Sequence, residues 1–468
     1  PAGAPDAGFP FASTLILLFE HHTSSYSERE PTYLGIQVSK NELLQVLPET
    51  AAFSDEHTLE IGGLPVSDLA AKYGTPLHVI DETGLRQQMR RVLDGLRTRW
   101  PKSDVLFASK AFPIRAMYSI AESEGICVDV AGGGELNLAL RGGVSPEHIY
   151  FHGNAKTEAE LRMGLDAGIR CFIIDNFDEL ARLEKLCDRV QEVMLRVNPL
   201  VPVNVHPNQV TAHAESKFGM TFDEARKAIE RIKAHPHLRF EGVHLHLGSQ
   251  ILDVEPFAEG VKAVAEFGDV ATYDIGGGLG VDYYPGEGAP AVDAYLDAVT
   301  GAAVEVLPRE SRIIIEPGRA LVARSGVTVY SVVSVKRRDR KSFVAVDGGM
   351  ADQLDIALTG QRYSVTNISR SNPNDIFVAD VVGRQCESGD LLVSDAEFQG
   401  AEPGDLLVMP VTGAYSYTMT NNYNGALRPA VVLVADGKDY LAVRRENYEE
   451  LSMLHEPAAG VDWAARAR

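Results

Sequence analysis

Hydrophobic and polar positions along the middle of the chain show two kinds of pattern, one typical of strands and one typical of helices. Short apolar or β-branched runs of strand length recur, and amphipathic stretches with helical spacing separate most of them. The predicted strands lie at Asp104–Ser109, Ile126–Val130, Ile149–His152, Cys171–Asp175, Glu192–Val197, Arg239–His246, Ala271–Ile275 and Arg312–Ile315. The predicted helices include Ile114–Glu124, Glu158–Ala167, Phe177–Arg189, Phe222–His235, Pro256–Phe267 and Val292–Val306. Eight strands alternating with helices over about 210 residues come close to the roughly 250 residues of a (β/α)8 barrel, so the pattern predicts an α/β fold with a TIM-like barrel. A doubly wound sheet is the alternative, but it does not usually need eight consecutive βα units.

After Arg319 the pattern changes to short strands separated by Gly, Asp and Asn turns, and helical periodicity is nearly absent. These strands are predicted at Val327–Val335, Ser342–Val346, Ile376–Val382, Leu391–Val393, Leu406–Val411, Ala430–Val434 and Tyr440–Val443. They indicate a separate C-terminal all-β domain of the barrel or sandwich type. The chain then divides into an N-terminal extension of open role (1–55), a joining segment (56–82), the barrel (83–319), the β domain (320–455) and a C-terminal tail (456–468).

The overall composition narrows the classes of partner. The 468 residues include 65 acidic and 44 basic side chains, a net charge of -21, which disfavours nucleic acid and anionic membrane as partners. Four scattered cysteines without CxxC spacing predict neither a disulfide framework nor a zinc site and fit a reducing cytoplasm. The early apolar run Phe11–Phe19 is too short to span a bilayer. We therefore expect a cytoplasmic protein with a small-molecule substrate.

Barrel enzymes carry their sites at the carboxyl ends of the strands, and several ends here bear polar residues. The first strand ends at Lys110, where partial desolvation would lower the pKa of the amine and make it a better nucleophile. Taken alone, a lysine whose stem lies on apolar surface is the commoner case. The second strand ends at Asp129, the sixth carries His244 and His246 on one face, and the eighth ends at Glu316. Either histidine could instead be a core residue, and His246 is the better placed to stack on a flat ligand.

Three consecutive glycines, Gly276, Gly277 and Gly278, follow the seventh strand and would let backbone N–H groups face an anion. Such a run is usually only a turn, but phosphate sites favour the loops after strands seven and eight of a barrel. Ser249 and Arg319 would complete a cradle for one phosphate. A phosphate cradle, an amine nucleophile, a stacking imidazole and a carboxylate for a ring nitrogen together describe a site for pyridoxal 5'-phosphate.

Nine short motifs are spread over residues 60–455: FASKAF, VDVAGGGEL, TAHAESKFG, GVHLHLGSQ, YDIGGGLG, EPGR, VDGGM, CESGD and GAYSYTMTNNYN. In this order they resemble the motifs of the diaminopimelate decarboxylases, which belong with eukaryotic ornithine decarboxylase to the barrel decarboxylases that use this cofactor. The resemblance implies an alanine racemase-like barrel and release of CO2 from an amino acid. The cofactor contacts that it implies are Lys110, Asp129, His246, Ser249, Gly276, Gly277, Gly278, Glu316, Arg319 and Tyr415.

The resemblance also implies individual roles. Lys110 would hold the cofactor as a Schiff base, and Glu316 would keep the ring nitrogen protonated so that the ring accepts electrons. Alanine racemase, a relative on the same fold, has an arginine at that nitrogen, so Glu316 favours decarboxylation over racemisation; a salt bridge from Glu316 to Arg319 is the plainer alternative. Cys386 and Glu387 resemble a pair inserted from the partner subunit, with Cys386 protonating the carbanion. The homodimer with shared sites therefore rests on the resemblance.

One loop departs from the family pattern. Diaminopimelate decarboxylases follow VDGGM with an arginine and, four residues later, a tyrosine, which hold the distal carboxylate of the substrate. Here Asp355 and Thr359 stand at those positions. Losing a charge-assisted hydrogen bond costs about 1.5–3 kcal/mol, and repulsion adds to that cost. The alternative is a shifted loop in which Arg362 or Arg384 substitutes.

We therefore expect an amino-acid decarboxylase whose substrate is not diaminopimelate. The expected substrate contacts are Arg319, Asp355, Thr359, Glu387 and Tyr415. A true diaminopimelate decarboxylase of lysine biosynthesis, a racemase and a non-catalytic regulatory relative are the alternatives.

Overall fold

The computed structural model describes residues 40–54, 58–206, 209–212 and 216–455, all within one compact unit, Gln37–Arg468. Most of the expected N-terminal extension, the expected tail and part of the TAHAESKFG motif lie outside the described residues. In the described ranges, no helix is both long and apolar enough to cross a bilayer.

The segment before the barrel is a series of short elements. They are α1 (Lys40–Leu43), β1 (Ala52–Phe53), β2 (Leu59–Ile61), β3 (Leu64–Pro65), α2 (Val66–Tyr73) and β4 (Leu77–Asp81). The first three strands form a small antiparallel sheet. Strand β4 is buried along its whole length, because it is an interior strand of the C-terminal sheet described below.

Eight parallel strands close into a barrel in chain order. They are β5 (Ser103–Ala108), β6 (Cys127–Val130), β7 (Ile149–Phe151), β8 (Cys171–Ile174), β9 (Gln191–Arg196), β10 (Leu238–His244), β11 (Thr272–Asp274) and β12 (Arg312–Ile315). The ring closes where β12 pairs with β5. The predicted TIM-like barrel is thus confirmed. Strand β10 ends two residues earlier than predicted, and just beyond its end Thr211 donates hydrogen bonds to the carbonyls of His246 and Leu247.

Helices follow most of the barrel strands. They are α3 (Glu82–Arg99), α4 (Arg115–Ser123), α5 (Gly133–Arg141), α6 (Glu158–Ala167), α7 (Phe177–Leu186), α8 (Phe222–Ala234), α9 (Glu255–Val264), α10 (Val292–Val306) and α11 (Arg319–Val322). Helices α6 and α8 begin at capping boxes, in which Thr157 and Thr221 each exchange hydrogen bonds with a glutamate three residues on. Helix α5 begins within the glycine run that follows Asp129.

The C-terminal domain is built mainly of strands. They are β13 (Gly326–Lys336), β14 (Ser342–Val346), β15 (Thr366–Asn367), β16 (Ile376–Val382), β17 (Leu391–Gln399), β18 (Leu406–Pro410), β19 (Ala430–Ala435) and β20 (Lys438–Val443), with short helices α12 (Leu354–Thr359) and α13 (Tyr448–Ser452). The main strand order is β17-β16-β14-β13-β4-β19-β20, and β18 joins β13 to β15. The predicted strand-rich domain is confirmed. Helix α12 carries the loop that departs from the family pattern.

The interior of the barrel is filled by its own apolar cluster. This cluster consists of Leu106, Tyr150, Cys171, Ile173, Met194 and Ile314, all buried. Burying each large apolar side chain contributes about 1.5–3 kcal/mol, so the lumen is a packed core and not a pore. Polar chemistry is therefore confined to the ends of the strands.

Candidate active site

Lys110 lies on a single 3₁₀ turn, Ser109–Ala111, immediately after β5. The turn is anchored on both sides of the lysine. The Ser109 N–H donates to Asp129 Oδ1 at 2.9 Å, and the Ala111 carbonyl accepts the N–H of Tyr415 at 2.9 Å. Ser109 and Ala111 are buried, whereas Lys110 is exposed, so the amine is presented at the barrel mouth. The partial burial expected for this lysine is not seen.

A titratable residue lies at or within two positions of the carboxyl end of every barrel strand. In chain order these residues are Lys110, Asp129, His152, Asp175, Arg196, His244, Asp274 and Glu316. Because parallel strands bring all their carboxyl ends to one rim, this set converges at a single mouth. The apolar lumen below excludes water, which strengthens the electrostatic interactions among these residues.

The carboxylate of Glu316 lies between two imidazoles. His244 Nε2 lies 3.2 Å from Oε2, and His152 Nε2 lies 2.9 Å from Oε1. Burial opposes ionisation of Glu316, but the contacts with His152 and His244 prevail and hold its pKa well below the usual range. Burial lowers the pKa of His244 to about 4, so its ring is neutral at pH 7. The sequence alternative, a Glu316–Arg319 ion pair, is replaced by these histidine contacts.

Two further carboxyl groups share this buried region. Burial, then the neighbouring charge of Glu316, raise the pKa of Asp274 well above its usual range. Burial also raises the pKa of Asp129 to about 7, although His152 opposes the shift. Burial thus favours the protonated forms of Asp274 and Asp129, whereas the histidine contacts favour the ionised form of Glu316.

Arg319 provides a fixed buried cation next to the glycine run. Its Nη2 donates to Ser249 Oγ at 3.0 Å, and its Nη1 donates to the hydroxyl of Tyr283. The guanidinium carbon lies 4.6 Å from the centroid of the Tyr415 ring. Arg319 is 6% exposed, and within the described ranges its Nε–H has no hydrogen-bond partner. A buried guanidinium with a spare N–H is suited to binding an anion such as a phosphate.

The glycine run lets the backbone pass close to its neighbours. Gly276 and Gly278 have φ values of 68° and 118°, in the region that favours glycine. A Cβ on Gly277 would lie 2.1 Å from the carbonyl oxygen of Glu316. The Gly276 N–H donates a hydrogen bond of 2.9 Å to the carboxylate at the end of β11, and the Gly277 N–H donates one of 3.3 Å to His246 Nδ1. Two of the three N–H groups are thus engaged within the protein.

The Gly277 contact also fixes the ring of His246 and its tautomer, because Nδ1 must act as the acceptor. Burial, then the charge of Lys110, lower the pKa of His246 well below its usual range. The ring is therefore neutral at pH 7. A neutral, half-buried imidazole held in one orientation presents a flat face suited to stacking.

Asp355 is a buried carboxylate on the first turn of α12, only 2% exposed. Its Oδ2 accepts the hydroxyl of Tyr363 at 3.3 Å, and the Thr359 hydroxyl turns back to the Asp355 carbonyl at 2.8 Å. Burial raises the pKa of Asp355, while the nearby charge of Arg319 and the Tyr363 hydroxyl lower it. The Asp355 carboxylate thus lies within electrostatic reach of Arg319, which also belongs to the predicted phosphate cradle.

The two arginines considered as substitutes differ in their surroundings. The guanidinium of Arg362 packs 4.9 Å from the ring centroid of Tyr284, and the side chain of Arg384 is exposed.

Cys386 and Glu387 lie exposed on the loop between β16 and β17. The Cys386 N–H donates to Asn424 Oδ1 at 2.8 Å, and Glu387 accepts the hydroxyl of Tyr423. Their contacts in the described part of the chain are thus with the GAYSYTMTNNYN loop. An open, mainly apolar groove of about 490 Å³ adjoins them, lined by Met350, Leu354, Ala357, Glu387, Gly389, Asn421 and Tyr423.

The arrangement fits pyridoxal 5'-phosphate. Glu316 Oε1 and Arg319 Nε are buried polar atoms with no hydrogen-bond partner among the described residues, and the glycine run leaves no room for a side chain beside them. An exposed amine at Lys110 and the flat ring of His246 complete the set. The fold and the site together define a pyridoxal-phosphate enzyme of the barrel type.

Comparison with known proteins narrows this class. Residues 85–323 match the sequence profile of the family described as "Pyridoxal-dependent decarboxylase, pyridoxal binding domain". A diaminopimelate decarboxylase from Actinosynnema pretiosum subsp. auranticum is 40% identical over 84% of this chain and 91% of its own length. The diaminopimelate decarboxylase of Bacillus subtilis (strain 168) is 39% identical over 85% of this chain and 95% of its own.

A solved structure supports the same family. The crystal structure of diaminopimelate decarboxylase from M. jannaschii in co-complex with L-lysine superposes with a TM-score of 0.82 at 30% identity, covering 87% of this chain and 98% of that one. The chain belongs to the family of pyridoxal-dependent decarboxylases and is a pyridoxal-phosphate-dependent carboxy-lyase.

Sequence reasoning did not single out His152, Asp274 or Tyr283. The signals were weak, because His152 and Asp274 both fall inside predicted strands, where a polar residue near the end is common. Tyr283 lies beyond the glycine motif, and only the fold brings its hydroxyl to Arg319. Such residues are found by asking which strand-end groups surround a predicted charge.

Proposed function

We propose that the chain removes CO2 from an α-amino acid whose side chain does not end in a carboxylate. The observation that carries this proposal is the buried carboxylate of Asp355, where the diaminopimelate decarboxylase pattern has an arginine. Its neighbour Thr359, at the position of the tyrosine in that pattern, turns its hydroxyl back onto its own helix. A tail that carries a cation, an amide or no charge suits this environment better than an anionic tail.

The charge of Asp355 also affects Arg319. A carboxylate within electrostatic reach of the guanidinium offsets part of its positive potential. Arg319 is already engaged by Ser249 and Tyr283 and would bind the cofactor phosphate. It therefore has little left to attract a second carboxylate on the substrate. Repulsion from Asp355 acts in the same direction.

The remaining residues of the proposal act on the cofactor. Pyridoxal 5'-phosphate, when bound, supplies the electron sink for the bond broken as CO2 leaves. Lys110 would hold its aldehyde carbon and His246 would stack on its ring. Ser249, Tyr415 and the glycine run would join Arg319 at the phosphate. Glu316, ionised between two imidazoles, would hold a proton at the ring nitrogen.

The site is proposed to be completed in a homodimer. Cys386 and Glu387 are exposed and contact Tyr423 and Asn424 of their own chain, which supports a role in a partner's site. There the Cys386 thiol would return a proton to the substrate carbon, and Glu387 and Tyr415 would contact the substrate. All four cysteines are free thiols, which supports a cytoplasmic location.

The test is the rate of CO2 release from diaminopimelate, ornithine, lysine, arginine, glutamate and larger amino acids, compared as kcat/KM. We expect an amino acid without a distal carboxylate to be the best substrate. If diaminopimelate has the highest kcat/KM, the proposal is wrong and the chain is a diaminopimelate decarboxylase. Exchange of the α-proton without CO2 would instead indicate a racemase.

A loop variant tests the physical reason. Asp355→Arg combined with Thr359→Tyr restores the family pattern and should raise kcat/KM for diaminopimelate by about tenfold or more, since it regains a charge-assisted hydrogen bond. Arg362→Ala is the matched control and should leave the substrate ranking unchanged. If wild type prefers diaminopimelate and Arg362→Ala loses that preference, the shifted-loop alternative is favoured.

A further inference from the structure

His152 follows β7 and reaches the centre of the candidate site, although no motif pointed to it. Its backbone N–H donates to the Val130 carbonyl at 2.7 Å, which fixes the residue against β6. Its side chain is buried, with 7% of the residue exposed. Nε2 lies 2.9 Å from Glu316 Oε1, off the line of a hydrogen bond, so both atoms keep an unused direction.

The two imidazoles hold the carboxylate from different sides. The rings of His152 and His244 meet edge to face, with centroids 4.9 Å apart and planes at 79°. The His152 ring contacts Oε1 and the His244 ring contacts Oε2. The carboxylate plane of Glu316 therefore cannot rotate without losing one contact. His244 makes a hydrogen bond, whereas His152 is close but unaligned. The Oε1 side is therefore the side open to a third group.

The other groups that face Glu316 act in opposite directions. Asp274 from β11 and Asp129 from β6 are buried acids whose ionised forms would disfavour a charge on Glu316. Arg196 from β9 adds a favourable positive charge. The nearest compensating groups are the two imidazoles. Removing one of them leaves a buried carboxylate with less support.

We propose that His152 is a positioning residue that, together with His244, keeps Glu316 charged and oriented with Oε1 toward the ring nitrogen of pyridoxal 5'-phosphate. The proposal rests on the proposed role of Glu316 at that nitrogen. His152 acts through the close contact of its Nε2 with Oε1, and the part that it orders is the Glu316 carboxylate. His152 itself has no role in bond breaking.

The test compares the affinity of the full-length apoenzyme for the cofactor and for its 1-deaza analogue, in which C–H replaces the ring nitrogen. Dissociation constants come from the absorbance of the bound cofactor. Wild type should prefer the natural cofactor by about tenfold or more, the effect of one charge-assisted hydrogen bond. His152→Leu should lose most of this preference, and His152→Gln, which keeps a side-chain N–H, should retain it.

Two reference variants make the outcome specific. Glu316→Gln should lose the preference if Glu316 meets the ring nitrogen. His78→Leu removes another buried imidazole, in the C-terminal sheet, and should lower thermal stability while leaving the preference intact. The pH titration of the absorption band of each holoenzyme is a second readout, and His152→Leu should shift it in the same sense as Glu316→Gln.

The results separate the two proposals. If wild type and Glu316→Gln show the same preference, the role of Glu316 at the ring nitrogen is wrong. If Glu316→Gln loses the preference and both His152 variants keep it, the positioning role of His152 is wrong. If His152→Leu fails to fold, His152→Gln and its absorption titration decide, because loss of the preference in that folded variant would also overturn the proposal.

Discussion

The pKa values of buried acids in this chain shift in opposite directions according to the groups that face them. The two imidazoles that face Glu316 lower its pKa, whereas burial raises the pKa of its neighbour Asp274. In the C-terminal domain, Asp352 accepts the Tyr330 hydroxyl at 2.7 Å and the Gly349 N–H at 3.1 Å. Burial still raises the pKa of Asp352 to about 7, because neutral donors offset only part of the desolvation.

Asp352 should therefore make stability depend on pH. Its folded-state pKa of about 7 lies above the ordinary value of 3.8, so the folded state binds a proton that the unfolded chain has already lost. The resulting stability is present below about pH 4 and is lost as the pH rises through 7. Asp352→Asn cannot ionise. Between pH 4 and 8, wild type should lose roughly 2–4 kcal/mol more of its free energy of unfolding than this variant.

Urea unfolding at a series of pH values would measure the effect. The difference between the two curves of unfolding free energy should change between about pH 4 and pH 7 and stay nearly constant above pH 7. Parallel curves over the whole range would show that Asp352 ionises at its ordinary pH in the folded protein.

At the scale of elements, the glycine loop after β11 contacts both Glu316 and His246. The run must turn through positive φ at Gly276 and Gly278, and at Gly277 it must also pass against the carbonyl of Glu316. The same loop thus sets the position of Glu316 and of the ring of His246. A short glycine segment can do this because nothing intervenes between its backbone and its neighbours.

Gly277→Ala should disturb both contacts. A Cβ placed 2.1 Å from a carbonyl oxygen forces the backbone to move, and such overpacking costs about 1–3 kcal/mol. We expect a lower melting temperature and weaker cofactor binding, measured by thermal unfolding and by cofactor titration.

Gly301→Ala is the matched control. Gly301 lies inside α10, and a Cβ added there would have no described atom within 4 Å, so the change should raise the free energy of unfolding by about 0.5–1 kcal/mol through helix propensity. Cofactor affinity should not change. Equal cofactor affinity in both alanine variants would contradict the close-approach argument for Gly277.

On the scale of the whole molecule, the N-terminal segment links the barrel to the strand-rich domain. Strand β4 pairs with β13 and β19, and the chain then passes directly into α3 of the barrel. Asp81 marks the junction: its carboxylate accepts the N–H groups of Gly84 and Thr50. The barrel carries Lys110 and Glu316, while the strand-rich domain carries Asp355, Cys386 and Tyr415. The proposed site therefore needs both domains.

The proposed homodimer makes a complementation test possible. Lys110→Ala and Cys386→Ala homodimers should each be nearly inactive. After the two are mixed and subunits exchange, half of the dimers are hybrids with one intact site, so about one quarter of wild-type activity should return. CO2 release before and after mixing is the measurement. No recovery, despite proven subunit exchange, would show that both residues act within one chain.

The order and type of elements could be predicted from the sequence because they depend on local periodicity. The eight barrel strands and helices such as α6 and α10 are found where the pattern predicts them. The strand-end residues Lys110, Glu316 and Arg319 could also be named, since parallel strands bring their ends together whatever the details of packing. These features indicated the barrel and the cofactor, and the resemblance of the nine motifs to the diaminopimelate decarboxylases indicated the class of reaction.

Only the tertiary structure decided which of these groups meet and in what charge state. Contacts between distant strands, such as those of His152 and His244 with Glu316, depend on the closure of the barrel and leave no local pattern. Burial in the closed fold raises the pKa of Asp274, whereas the contacts with His152 and His244 outweigh burial and lower the pKa of Glu316. Likewise, the sequence identified Asp355 as the departure from its relatives, but packing of α12 brought its carboxylate within electrostatic reach of Arg319.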